Sequence, residues 1–224
     1  MPNQSITSNH YGLALDTTSA DLSIALSNFA KDTRSQTWNL GRELSSQLHV
    51  HLNKILQPQT WSDLQFIAVA KGPGSFTSIR IGVVTARTLA QQLHIPVYGI
   101  SNLVAIAFAI SPTLPENHLI AVQMNTKREQ VFGGIYQFAR SGKCTIQLQD
   151  STMDKSQWQD RLNQLDQPYE LYQTANDSTT VIQSILVIGK LQYQRDLEQH
   201  KLNEQELIEN WAKVLPFYGQ HPVR

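Results

Sequence analysis

The sequence has a single cysteine, Cys144, no long apolar run and no excess of charge of either sign. One thiol excludes an intramolecular disulfide and any multi-cysteine zinc site, and a small apolar filler in a strand is its plain reading. The longest apolar run, Leu103 to Ile110, is far short of the ~20 residues a bilayer-spanning helix requires. The opening MPNQSITSNH lacks the apolar centre of a signal peptide, so a soluble, cytoplasmic protein with no membrane contact is expected. Lys+Arg and Asp+Glu stand at 18 each, whereas chains that bind nucleic acid unaided carry a basic excess to neutralise phosphates. Autonomous tRNA binding is therefore not expected. No low-complexity segment or fixed-period repeat is present either.

What is present, in 224 residues, is enough chain for one large domain or two lobes. Tyr11–Thr17 (YGLALDT) has a buried-strand composition, and Leu22–Ser27 follows it at hairpin distance. Arg34–Leu40 is a weaker third strand anchored on Trp38. Arg42–Leu56 changes to helical spacing, with Leu44, Leu48, Leu52 and Ile55/Leu56 on one stripe. Phe66–Ala70 is short and continuously apolar, as a strand buried on both faces should be. A helix over Ser78–Leu93, capped by Thr77, a strand over Pro96–Ile100 and a helix over Leu103–Ile110 complete the first half.

The order β-β-β-α-β-α-β-α is that of a ribonuclease-H-like or actin-like half, so Phe66–Ala70 and Pro96–Ile100 should be parallel neighbours. Ser111–Asn117, with two prolines, reads as a linker, which gives lobes over 1–110 and 111–224. The second begins with strands over Leu119–Asn125 and Gln130–Ala139, and a third is predicted over Lys143–Gln149. Gly133-Gly134 inside the second of these reads as a bulge. Asp154–Leu165 is a helix opening from an acidic residue. Leu171–Tyr172 carries a short strand signal, Ser184–Leu197 mixes strand and helix signals, and Glu204–Val214 is a short helix before the tail LPFYGQHPVR.

The strongest local signal is the run from Lys71 to Gly82, KGPGSFTSIRIG, set between a buried strand and a helix. Proline stiffens the turn, and Gly72 and Gly74 permit backbone angles other residues avoid. The amides of Ser75 and Thr77 gather at a helix start, with Arg80 a turn further on, where the helix dipole favours anions. The Gly-Lys-Ser/Thr ending of a P-loop is missing. Two readings stand at this point: an anion site, or a tight strand-to-helix turn without ligand. Asp16, ending the first strand before Thr17 and Thr18, carries the same pair of readings. It either positions phosphate and metal, or accepts amides of the hairpin turn.

The helix over Ser78–Leu93 is apolar nearly all round. Gly82, Ala86 and Ala90 form a small-residue strip, and Ile79, Val83, Ile81, Val84, Leu89 and Leu93 fill the rest. Such a helix needs cover on more than one side, from its own sheet and from either the first helix or another protein. His49 and His51, two apart on a helix, point roughly 200° away from each other and cannot share a metal.

LALDTTS, FIAVAKGPGSFTSIRIG and IPVYGIS resemble, in order and spacing, the defining stretches of the TsaB (YeaZ-type) family. The likeness is strong over Leu13–Ile110. It implies a two-lobed actin-like α/β fold with mixed sheets and a role in making the threonylcarbamoyladenosine of tRNA. The family is implied to act as a non-catalytic activator of its larger paralogue, the transferase TsaD, with an ATPase of TsaE type joining the pair.

On the same resemblance, pairing runs through the helices of the first lobe, which points to Leu48, Leu52, Ile79, Gly82, Val83, Ala86 and Ala90. A homodimer is the alternative when TsaD is absent. Contact with tRNA would be indirect and no cofactor is expected. Where TsaD places a His-x-x-x-His metal pair, this chain has Asn102 and Ile106, and isoleucine cannot ligate.

The chain departs from the family pattern at Ser78, at Leu44 after Arg42-Glu43, and over Asn125–Phe132. The alternatives are a small actin-like phosphotransferase using Asp16 and Gly72–Thr77, and a metallopeptidase.

Overall fold

The computed structural model of the chain describes residues 10–126, 129–174, 178–199 and 201–218. The apolar runs of the first half form a five-stranded sheet of β1 (Tyr11–Asp16), β2 (Asp21–Ser27), β3 (Thr33–Asn39), β4 (Leu64–Ala70) and β5 (Val97–Ile100). Their order is β3-β2-β1-β4-β5; β1, β2 and β3 pair antiparallel, and β4 lies parallel to both β1 and β5. The expected parallel pair of β4 and β5 is therefore present. β1 and β4 sit centrally with almost every side chain buried, which is why neither shows polar alternation.

A second sheet holds β6 (Leu119–Asn125), β7 (Gln130–Phe138), β8 (Cys144–Asp154) and β9 (Tyr169–Gln173) in the order β8-β7-β6-β9. β6 pairs antiparallel with β7, β7 antiparallel with β8, and β6 parallel with β9. This repeats the first sheet without its fifth strand, and a repeated half of this order is the actin-like, ribonuclease-H-like architecture. The β7–β8 register shifts between Gly133 and Ile135, where the paired glycines suggest a bulge.

One face of the first sheet is covered by α1 (Leu44–Leu56), α2 (Phe76–Leu93) and α6, which spans Glu204–Lys213. A short 3₁₀ turn, Gly41–Glu43, occupies the expected first turn of α1. Leu44, Leu48, Leu52, Ile55 and Leu56 of α1 all point inward. α2 begins two residues before the sequence predicts, with Ser75 rather than Thr77 at its N-cap. The reason lies in Ser75, whose amide is held in extended backbone by the carbonyl of Thr18 at 2.7 Å.

Two further helices exchange places between the sheets. α3 (Asn102–Ile110) follows the first sheet but lays Leu103, Ile106 and Ala107 on β6 and β7. α5 (Ser178–Glu198) follows the second sheet but lays Ile182, Ile185, Leu186 and Ile188 on Ala14, Ala25, Phe66 and Ala68 of the first. α3 and α5 also touch each other. The strand and helix signals mixed over 184–197 thus resolve as one long helix with apolar residues on more than one side, because it packs between sheet and helix. The helices α5 and α6, though they belong to residues 111–224, pack on the first sheet. α4 (Lys155–Asn163) covers the second sheet through Trp158 and Leu162, and Asp154 closes a capping box with Gln157.

α5 approaches the sheet so closely that a Cβ on Gly189 would stand 2.6 Å from Ala68 Cβ. Gly189→Ala gains ~1 kcal/mol of helix propensity but forces an overpacked contact costing about 1–3 kcal/mol. A net loss of stability is expected in urea unfolding, and a variant more stable than the parent would show that α5 sits higher on the sheet.

Candidate functional site

The motif residues meet at the C-terminal ends of β1, β4 and β5. β1 ends at Asp16, and the turn that follows is closed by Asp16 Oδ1, which accepts the Thr18 amide at 2.8 Å and the Thr18 hydroxyl at 2.7 Å. Asn102, at the start of α3, donates its side-chain amide to Thr18 Oγ1 at 2.8 Å and its backbone amide to Gly72 O at 2.9 Å. Asp16, Thr17, Thr18 and Asn102 are all buried. Burial drives the Asp16 carboxyl above the ordinary carboxylate range, and the hydrogen bonds from Thr18 and Asn102 offset this only in part.

The β4–α2 loop is pressed onto that turn from outside. A Cβ on Gly74 would lie 2.3 Å from Thr18 O, and one on Gly82 would lie 2.2 Å from Thr17 Oγ1. Gly72 has φ +106° and is backed by the carbonyl of Phe217. The angle closed to other residues is therefore found at Gly72, while Gly74 is required for close approach. Thr17 Oγ1 donates to Ser78 O at 2.7 Å, and the Phe217 amide donates to Lys71 O at 2.6 Å. The C-terminal tail thus straps the loop in place, with Tyr218 4.2 Å from the ring of Phe76.

An anion held by this loop and the Asp16 turn would need the Ser75 amide and the space beside Gly74. Thr18 fills both. Of the readings the sequence left open, the geometry supports the ligand-free turn at Gly72–Thr77 and the hairpin acceptor at Asp16. Ser75, Thr77 and Arg80 face outward, where the Arg80 guanidinium lies 5.6 Å from the centre of the Phe76 ring. Ile106 is buried among apolar side chains of the second sheet, and among the described residues no three His, Cys, Asp or Glu converge as a metal site. His49 is exposed, and His51 packs on Trp38 at 4.3 Å.

The seven positions expected at a docking surface lie inside the chain. Leu48, Leu52, Ile79, Gly82, Val83, Ala86 and Ala90 are all buried in this chain, and the six other than Gly82 belong to the core cluster between the helices and the first sheet. The small-residue strip of α2 is the face that lets the helix lie close to β1 and β4, with Gly82 on Thr17. What α1 and α2 leave outside are Val50 at 58% exposure, Val84 at 57% and Phe76 at 54%. Of the altered stretch over Asn125–Phe132, Lys127 and Arg128 lie outside the described residues. Glu129 pairs with Lys155, which holds its carboxyl below the ordinary range.

Gly74→Ala should cost about 1–3 kcal/mol in urea unfolding, because its Cβ meets backbone that cannot move aside. A parent-like midpoint would mean that the loop lies further from Thr18. Asp16 gives a second test. A carboxyl raised by folding binds its proton more tightly in the folded chain, so its contribution is complete below the unfolded value near 3.8 and is lost as pH rises through the folded value. Asp16→Asn keeps the acceptor for Thr18 and removes the titration. Its stability relative to the parent should increase from pH ~4 towards neutrality, measured as urea midpoints across that range. Parallel profiles for the two proteins would contradict a raised Asp16.

The family described as TsaD, tRNA N6-adenosine threonylcarbamoyltransferase, matches residues 40–196. The tRNA threonylcarbamoyladenosine biosynthesis protein TsaB of Bacillus subtilis is 34% identical over 163 residues, covering 70% of this chain and 67% of that one. The TsaB of Buchnera aphidicola subsp. Schizaphis graminum is 33% identical over 126 residues, 55% of this chain and 59% of its own length. In three dimensions the chain is similar to YeaZ from Pseudomonas aeruginosa, with a TM-score of 0.70 at 20% identity over 93% of this chain and 100% of that one. With the sheet order and the motif loop, these likenesses place the chain: it belongs to the TsaB (YeaZ) family.

Proposed function

We propose that this protein is a subunit of the machinery that makes threonylcarbamoyladenosine in tRNA, pairing with a TsaD-like transferase and contributing no catalytic group itself. The relatives named as TsaB support the process. The observation that carries a binding role over a catalytic one is the closed motif loop, in which Thr18 takes the Ser75 amide and the space beside Gly74. Asn102 and Ile106 support it further. The first holds the loop through Gly72 O, and the second is packed in apolar core.

Docking runs through the outer faces of α1 and α2, where Val50 and Val84 leave apolar surface in water. In the absence of TsaD the same faces join two copies of the chain, and a TsaE-like ATPase joins the assembled pair. The protein works in the cytoplasm, and no helix among the described residues is long and apolar enough to cross a membrane.

Val84→Glu tests the surface, since an exposed substitution should move stability by no more than about 0.5 kcal/mol. It should elute apart from the organism's TsaD on a sizing column, while the parent co-elutes. Ala86→Arg, two residues along and on the opposite, buried side of the helix, should instead abolish the folded state. A folded Val84→Glu that binds TsaD as the parent does would remove the outer face of α2 from the interface. A parent that fails to co-purify with TsaD from native cells would overturn the pairing itself.

A further inference from the structure

A cleft of about 510 Å³ opens between the two sheets beside the edge strand β5, away from the outer faces of α1 and α2. This is within the range of roughly 300–1,000 Å³ usual for small-molecule sites. Its walls come from well-separated parts of the chain: Lys71 after β4, the end of β5 with Val104 of α3, the strand β8 with Gly142 before it, the second half of α5, and the tail at Phe217. We propose that this cleft binds a small amphipathic organic anion, whose acid group is held by Lys71 and Arg195 and whose carbon skeleton lies on Ile146, Ile188 and Leu191.

Charge carries the first part of the argument. Lys71 and Arg195 both line the cleft, and among the described residues neither forms an ion pair. The acid that shares the cleft is Asp150, and it is engaged elsewhere: Tyr136 donates its hydroxyl to Oδ1 at 2.5 Å and Ser101 donates to Oδ2. Two hydroxyls therefore take up the carboxylate's acceptors, no ion pair ties it to Lys71 or Arg195, and two cations against one carboxylate leave the cleft net positive towards an external anion. Cys144 adds no competing charge, because burial first, and Asp150 second, push its thiol up to about 11.

Shape carries the second part. Ser101 stands between β5 and α3, and Asp150 stands on β8, so their hydrogen bond ties the first sheet's edge to the second sheet. The cleft is thus set before any ligand enters, which lowers the ordering cost of binding. Ile146 is 48% exposed on β8 and lines the cleft with Ile188 and Leu191 of α5. Apolar surface of this kind beside unpaired cations suits a ligand with an acid at one end and hydrocarbon at the other. This inference does not rest on pairing with TsaD, and its failure would leave that reading untouched.

The test uses the full-length protein and the fluorescent sulfonate 1-anilinonaphthalene-8-sulfonate as probe. Saturable binding is expected, displaced by octanoate. The double substitution Lys71→Gln/Arg195→Gln, and separately Ile146→Ser, should each weaken the probe about tenfold or more, since charge-assisted contacts and apolar burial both contribute. Octanamide, which lacks the charge, and inorganic phosphate, which lacks the hydrocarbon, should displace it far less well.

Non-saturable binding, variants that bind like the parent, or equal displacement by octanamide or phosphate would overturn the proposal. If a variant melts early by circular dichroism, the parent alone decides. Octanoate should shift the backbone amide resonances of Gly99 and Gly142, which line the cleft, and unmoved resonances would overturn the proposal.

Discussion

The contact on which the architecture depends is that of α5 with the first sheet, where Gly189 meets Ala68 with no room for a side chain on the helix. Ala14, Ala25, Ala68 and Ala70 line that face of the central strands, and all four are fully buried. Small side chains on both partners bring the helix axis close, and larger residues then flank the contact. Phe66 stacks between Phe29 at 6.0 Å and Tyr193 at 5.3 Å, and Tyr98 donates to Asp196 at 2.9 Å. Because α5 follows the second sheet in sequence, this close approach joins the halves into one body. α3 does the reverse through Leu103 and Ile106, so neither sheet has a complete core without a helix from the other half.

That exchange fixes the motif loop from within and the tail fixes it from outside. Asn102 starts α3 and holds Gly72 and Thr18; the position of α3 therefore sets the position of the loop. On the other side, α6 returns along α2, with Trp211 donating its ring N–H to Ile95 O at 2.8 Å, and delivers Phe217 to Lys71. A loop held by the β1–β2 turn, by Asn102 and by the tail is poorly suited to opening around a ligand and well suited to fixing the start of α2. Its glycines then read as consequences of packing. Gly82 exists for Thr17 and Gly74 for Thr18, and only Gly72 needs its backbone angle.

Much of the first sheet was legible because β1, β2, β4 and β5 are short, apolar and bounded by turn residues, which is the pattern of buried strands. The second half was harder to read for physical reasons. β9 (YELYQ) is an edge strand with exposed charge, and only Leu171 and Tyr172 signal it. α5 has apolar residues towards both the sheet and α3, which erases the polar face that helical periodicity relies on.

The burial of the α2 strip was illegible for a related reason. A small-residue strip at helical spacing looks the same whether it meets the chain's own strands or another protein's helices. Only the register of α2 on β1, visible as Gly82 against Thr17, separates the two. The cleft as such gave no signal, since Lys71, which opens the motif run, is brought together with Asp150 and Arg195 only by the fold, and the three stand far apart in sequence.

The burial of this strip also bears on what a partner could recognise. If the inner strip of α2 were the interface, binding would compete with folding, because the same methyl-sized surface cannot cover both the sheet and a second protein. In the proposed pairing, with the strip committed to the sheet, the exposed positions Val50 and Val84 would tune affinity without cost to the core, and the locked loop holds α2 in a fixed pose. Preorganisation of this kind lowers the ordering cost of association. A motif that looks built for phosphate can then contribute to binding in another way, by making one helix rigid enough to be docked upon.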